Sequence, residues 1–197
     1  MAKERTEYRH RTAAMVDPLT GIANRRSFLH DAAELTKRNV SSSAPMAVLL
    51  MDLDHFKTIN DRFGHAIGDR VLQVFAQSTQ ETIRSGDLFG RLGGEEFAAV
   101  LGNVKREEAV ALAESIHRHF VEAAAYVDGY SVGATVSIGV VLSQDTTLDM
   151  PELLAQADQA LYYAKERGRN RVEVGTFDLM HKRKDAAPRL VTARSAA

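Results

Sequence analysis

Residues 46–54 read MAVLLMDLD. Six apolar residues run in succession from Met46 to Met51, and the segment then ends in acids, Asp52 and Asp54. A strand with one wet face alternates apolar and polar residues, so an unbroken apolar run of this length predicts a strand covered on both faces, at the centre of a sheet. It is far too short to cross a bilayer.

Turn signals and helical periodicities flank this strand on both sides. Upstream, residues 1–16 are polar and helix-compatible, with too little apolar surface for a core, and read as a connecting helix. In DPLTGIANRR, Pro18 and Gly21 punctuate a turn, and Asn24 is placed to cap a helix reaching about Arg38 through Phe28, Ala32 and Leu35. VSSSAP then breaks that helix before the strand. Downstream, a helix pair separated by Gly64 and Gly68 is expected, its second member carrying Val71, Leu72, Val74 and Phe75 to about Ile83. DLFGRLGGEEFAAVL reads as two strands joined at Gly93-Gly94, a dipeptide suited to the positive φ of a tight hairpin. A helix from Lys105 to about Ala124, a strand along YSVGATVSIGVVL, a helix opened by Pro151 and ending near Gly168, and a short strand RVEV complete an alternating α/β pattern. Residues 176–197 lack core material and read as a flexible tail, which leaves 17–175 as one domain.

The chain has 197 residues, of which 45% are hydrophobic, enough for one domain with a sizeable core. Its 25 Lys and Arg balance 26 Asp and Glu, so no whole-molecule field recruits nucleic acid or an anionic membrane, and any anion site is local. Cysteine is absent, which excludes disulfides and thiolate metal sites and fits a reducing compartment. The N-terminus is too charged for a signal peptide, so a soluble, cytoplasmic chain with no direct membrane insertion is expected.

The acids carry the first functional signal. Asp52 and Asp54 end the apolar strand, while Glu95 and Glu96 open the strand that leaves the glycine hairpin. If these strands are neighbours, the carboxylates converge at one sheet edge and repel one another unless a cation lies among them. An all-oxygen set without Cys favours Mg²⁺ or Mn²⁺ over zinc. Taken alone, GGEE is more ordinarily the polar mouth of a hairpin. Further along, HFKTIND places a turn at a helix N-terminus, whose amides suit a phosphate, and Lys57 adds a cation. Lys165 and Arg169, four apart at a helix end, are positioned to clamp the same phosphate chain, although ordinary C-terminal helix charge explains them equally well singly. Asn60 and Asp69 offer acceptors for the N1–H and N2–H₂ edge of guanine; their ordinary readings are a surface amide and an N-cap beside Gly68. His117 and His119, two apart on a helix, read as solvent-facing rather than as ligands.

Five ordered motifs, DPLTGIANRR, MDLDHFKTINDRFGHAIGD, RLGGEEF, ATVSIGV and ADQALYYAKERGRN, together resemble the GGDEF-domain diguanylate cyclases, here in a GGEEF form that keeps the carboxylate. The resemblance covers about Asp17 to Val174. It implies an α/β (α+β) fold with a central, mostly antiparallel sheet flanked by helices, palm-like as in class III nucleotide cyclases. It also implies condensation of two GTP into cyclic di-GMP with release of two pyrophosphates. Asp52, Glu95, Glu96 and the Leu53 carbonyl would then hold two Mg²⁺ or Mn²⁺ per half-site, with Glu95, Glu96 and Lys57 catalytic. Asn60 and Asp69 would read guanine, while His55, Phe56, Lys57, Lys165 and Arg169 would hold phosphates.

Each domain would bind one GTP, so catalysis requires a homodimer with facing half-sites. The segment before Asp17 resembles the end of a coupling helix from a sensory domain absent from this chain, which would make the chain the cytoplasmic part of a larger bacterial receptor. Arg84 and Asp87 in RSGD stand at the spacing before Gly93 at which such cyclases carry an inhibitory, product-binding site; on its own an RxxD is a turn. The alternative is a catalytically silent module that binds GTP or cyclic di-GMP.

Overall fold

The computed structural model describes residues 15–42, 44–143 and 149–175. The expected connecting helix and the C-terminal tail lie outside the described residues. In chain order the elements are β1 (Ala23–Asn24), α1 (Arg25–Ser42), β2 (Met46–Leu53), α2 (Phe56–Phe63), α3 (His65–Thr82), β3 (Leu88–Gly93), β4 (Glu96–Gly102), α4 (Arg106–Ala123), β5 (Tyr126–Val127), β6 (Tyr130–Ser131), β7 (Val136–Ser143), α5 (Met150–Glu166) and β8 (Arg171–Val174).

The apolar strand is β2, buried at all eight positions and central in a sheet ordered β1-β3-β4-β2-β7-β8. Its neighbours β4 and β7 are both antiparallel to it, as β3 is to β4; β1 and β8 join the edges in parallel. The sheet is therefore mostly antiparallel, as the motifs imply.

Side-chain alternation along β2 sends its residues into two cores. Ala47, Leu49, Met51 and Leu53 join Val71, Leu72 and Phe75 of α3 and Ile116 and Phe120 of α4 on one face. Met46, Val48 and Leu50 join Phe28 and Ala32 of α1 and Leu153, Ala157 and Leu161 of α5 on the other. Phe75 is the hinge pin of the larger core, its ring centroid 4.6 Å from Phe97 and 4.9 Å, edge-on, from Phe120. By the same parity, Asp52 falls on the α5 face.

Several local expectations hold. Asn24 Oδ1 accepts the Ser27 amide at the start of α1, and Gly94 (φ 50°) turns the β3–β4 hairpin, which carries a bulge between Arg91 and Gly93. Others change. Gly68 lies inside α3 rather than between helices; a Cβ there would collide with Oδ1 of Asn60, so the glycine serves a close approach of α2 to α3. The expected strand YSVGATVSIGVVL is divided: Tyr130–Ser131 pair with Tyr126–Val127 in a separate hairpin turned on Asp128 (φ 47°) and Gly129 (φ 85°), and β7 begins at Val136. Asp128-Gly129 is an ordinary hairpin turn signal, whereas β1, two residues long, carries none.

Gly139 of β7 lies against α5, where a Cβ would overlap the Ala157 carbonyl and the Leu161 amide, both backbone atoms of the helix. Neither side can yield without moving an element. Gly139→Ala should therefore destabilise the fold by about 2–3 kcal/mol, read as a lower urea midpoint, and an unchanged midpoint would contradict this packing.

Candidate active site

The β2–β4 register places Asp52 directly opposite Glu96. Glu95 lies one residue earlier, in the turn, and its carbonyl accepts the Leu53 amide at 3.2 Å. Two neighbouring strands and one glycine turn thus bring the carboxylates of Asp52, Glu95 and Glu96 to the same sheet mouth. Lys165, on the last turn of α5, reaches over that mouth with Nζ 2.8 Å from Asp52 Oδ2.

The electrostatics follow from this crowding. Burial pushes the Asp52 carboxyl above the usual carboxylate range, against the hydrogen bond and charge of Lys165, and the charge of Asp54 adds to the upward shift. Glu95 and Glu96 are also raised, first by partial burial and then by the negative charge of Asp52. Among the described residues no three His, Cys, Asp or Glu side chains are grouped so as to hold a metal ion by themselves. The donor set is nonetheless all oxygen, mutually repelling and open to solvent at Glu96, which suits a hard divalent cation and an exchangeable Lys165.

Asp54 does not join this cluster. It is buried at 4% exposure, accepts Ser137 Oγ and Thr135 Oγ1 at 2.7 Å each, and accepts the Asn170 amide at 2.9 Å. The convergence expected of three or four carboxylates is therefore one of three, with Asp54 committed to structure.

The segment expected to hold phosphate opens α2. His55 stands at the start of α2 in the left-handed region (φ 54°) with no side-chain cap, and the first helical bond runs from Ile59 N–H to His55 C=O. The amides of Phe56, Lys57 and Thr58 precede that bond, and amides at that end of a helix have no intrahelical acceptor. Lys57 is exposed beside them. Asn60 is half-buried against Gly68, and Asp69 follows Gly68 on the exposed side of α3. Asp69 lies within the helix, so it is no N-cap; Gly64 holds that place.

Arg169 corrects the picture of a helical Lys165/Arg169 pair. The helix ends at Glu166, and Gly168 (φ 109°), Arg169 (φ 62°) and Asn170 (φ 49°) form a left-handed turn beyond it. The charge of Arg169 still lowers the Asp52 pKa, so the turn delivers the guanidinium to the same site.

Two features were not anticipated. Arg91 donates from Nε and Nη2 to the Gly94 carbonyl at 3.0 and 2.7 Å and from Nη1 to Asp17 Oδ1 at 3.1 Å. The turn around Asp17 is thereby clamped to the hairpin that presents Glu95. The Asp17 carboxyl, raised by burial but lowered more by Thr20 and Arg91, stays below its ordinary value. The two histidines are also engaged: His117 Nε2 lies 2.7 Å from Asn170 Oδ1, and His119 Nδ1 lies 3.0 Å from Thr82 Oγ1.

Arg84 and Asp87 form a turn in which Asp87 N–H donates to Arg84 C=O and Arg84 N–H to Asp87 Oδ2. The Arg84 guanidinium faces Glu108 of α4 at 3.8 Å rather than Asp87. Both line a cavity of about 470 Å³ with Gln80, Ile83, Phe89 and residues 21–23. Leu88 pairs with Val100, four residues along β4 from Glu96, so this turn lies about 14 Å of strand from the acids.

The raised carboxyls generate a stability prediction. A carboxyl that holds its proton more tightly in the folded than in the unfolded chain contributes stability in acid that is lost as pH rises through the folded pKa. In chelator, Glu95→Gln should therefore melt above the wild type at pH 7 and converge with it towards pH 4. Equal melting temperatures at pH 7 would contradict the crowding.

Known proteins share this fold. The profile of the family "Diguanylate cyclase, GGDEF domain" matches residues 14–171. A probable diguanylate cyclase of Escherichia coli, DgcT, is 42% identical over 161 residues, 80% of this chain and 35% of that protein; this chain thus spans little more than a third of its length. The coiled coil and GGDEF domain of DgcB from Caulobacter crescentus, solved with c-di-GMP, superposes with a TM-score of 0.80 at 27% identity, covering 88% of this chain and 91% of that one. The active GGEEF domain of a diguanylate cyclase from Vibrio cholerae gives 0.72 at 36% identity, over 78% and 97%. Matched by the family profile over residues 14–171 and 42% identical to DgcT, this chain belongs to the GGDEF-domain diguanylate cyclase family.

Proposed function

We propose that the chain condenses two GTP into cyclic di-GMP across a homodimer of facing half-sites. The observation that supports this most strongly is the direct pairing of Asp52 with Glu96, with Glu95 in the adjoining turn and Lys165 above them. A binding module has no need to gather three carboxylates that burial first, and neighbouring negative charge second, hold above their ordinary pKa.

The residues divide the work. Asn60 and Asp69 accept hydrogen bonds from guanine N1–H and N2–H₂, a donor pair that adenine lacks. The amides around His55 and Phe56, with Lys57, Lys165 and Arg169, hold the triphosphate; Lys165 exchanges Asp52 for a phosphate oxygen as the nucleotide arrives. Asp52, Glu95, Glu96 and the Leu53 carbonyl would hold Mg²⁺ or Mn²⁺, which when bound supplies hydroxyl acidification and neutralises charge on the phosphates. The 3′-oxygen of one GTP forms a bond to the α-phosphorus of the other, the α–β bridging bond breaks, and pyrophosphate leaves with the electron pair. Glu96, the more exposed acid, is placed to take the hydroxyl proton. A second, symmetric transfer closes the ring. Because one chain supplies one nucleotide, the two-fold axis completes the reaction.

We assign product inhibition to the cavity at Arg84 and Asp87. The guanidinium fork fits guanine O6/N7 or a phosphate, and the Asp87 carboxylate fits guanine N–H donors. Product held there would disfavour the productive dimer, and linkage makes that effect reciprocal.

One experiment with three proteins tests the reading. Incubated with GTP, ATP or both in Mg²⁺, wild type should yield cyclic di-GMP from GTP by chromatography. Glu95→Gln, with unchanged circular dichroism, should turn over at least ~10²-fold more slowly. Arg84→Ala should keep turnover but resist added cyclic di-GMP. A folded wild type that consumes no GTP at high concentration would establish a silent binding module instead.

A further inference from the structure

We infer that His117 is a positioning residue for Arg169, acting from α4 through Asn170. The inference rests on the reading of Arg169 as a phosphate ligand. Its starting point is the backbone: Gly168, Arg169 and Asn170 take positive φ in succession, and two of the three carry a Cβ. Left-handed geometry is unfavourable for such residues and persists only where the surroundings hold it.

Besides Arg171 Nε, which donates to the Arg169 carbonyl at 3.2 Å from within the same segment, the holding contacts come from three separate elements. From α5, the Ala164 carbonyl accepts the Arg169 amide at 2.9 Å. From the end of β2, Asp54 Oδ2 accepts the Asn170 amide at 2.9 Å, and that carboxylate is fixed in turn by Thr135 and Ser137. From α4, the His117 imidazole donates from Nε2 to Asn170 Oδ1 at 2.7 Å, across 53 residues of chain. The first two contacts grip the backbone; among the described residues only His117 grips the Asn170 side chain, and so fixes the rotation of the turn on which Arg169 is carried. His117 is half-buried and touches none of the carboxylates of the mouth through any hydrogen bond among the described residues. A loss at His117 therefore reaches the site through the turn.

A hydrogen bond at a partly exposed position makes a modest contribution, so the expected effect is modest and specific. His117→Ala should raise the KM for GTP, and the Kd of a non-hydrolysable GTP analogue measured by calorimetry, roughly 3–10-fold, with kcat less affected. His117→Gln, which keeps an N–H donor, should restore most of the affinity. In an Arg169→Ala background, His117→Ala should add nothing, because the group being positioned is gone.

The outcomes separate cleanly. If Arg169→Ala binds the analogue as well as wild type does, Arg169 is no phosphate ligand and the underlying reading fails. If Arg169→Ala weakens binding but His117→Ala does not, or if the two losses add in the double variant, the positioning role is overturned. Should His117→Ala melt well below wild type, the Gln variant carries the test: full stability with affinity still lost would also overturn the role.

Discussion

Repulsion among Asp52, Glu95 and Glu96 is the constraint around which this end of the sheet is organised. The register of β2 with β4 sets two of the acids face to face, and the glycine turn adds the third. Each is held above its ordinary pKa by burial and by its neighbours' charge. The Lys165 ammonium, and to a smaller extent the Arg169 guanidinium, offset part of the repulsion at Asp52. Folding meets the cost of assembling these charges: apolar burial along β2 and its two flanking cores holds the strands in register against their repulsion.

The groups that surround the acids are held by polar contacts that link distant parts of the chain. Arg91 ties the Asp17 turn to the Gly94 carbonyl, so the segment by which the chain enters the domain and the hairpin carrying Glu95 share one side chain. Residues 21–23 of that same turn form a wall of the cavity at Arg84 and Asp87. On the opposite edge, Asp54 ties the end of β2 to β7 and to the turn after α5. The site is thus gripped by two buried or half-buried carboxylates, Asp17 and Asp54, neither of which belongs to the acidic mouth.

The fold is legible in the sequence where burial is continuous. Met46–Met51 shows a two-sided strand because no polar residue interrupts it, and Gly93-Gly94 shows the hairpin because only glycine tolerates that turn without strain. The acids are legible because they end those apolar runs. What escapes is set by tertiary contact. Arg91 and Arg169 are both arginines near a glycine, and nothing local distinguishes the one that clamps a turn from the one that faces the acids. Asp52 and Asp54 likewise differ only through Thr135, Ser137 and Asn170, which are more than 80 residues away in sequence. His117 reads as a surface residue because its partner, Asn170, lies on another element. The break between Ser131 and Val136 falls at Gly133 (φ 66°), and it escapes because a glycine alone does not mark it: Gly139 lies within β7.

The most direct test of the central claim is a crystal structure with Mn²⁺ and a non-hydrolysable GTP analogue, read by anomalous scattering at the manganese edge. A cation-completed mouth predicts an anomalous peak bonded to oxygens of Asp52 and Glu95 at about 2.1 Å, with Lys165 moved from Asp52 to the nucleotide phosphates. No peak at the carboxylates under saturating metal and nucleotide, with Lys165 still on Asp52, would contradict it.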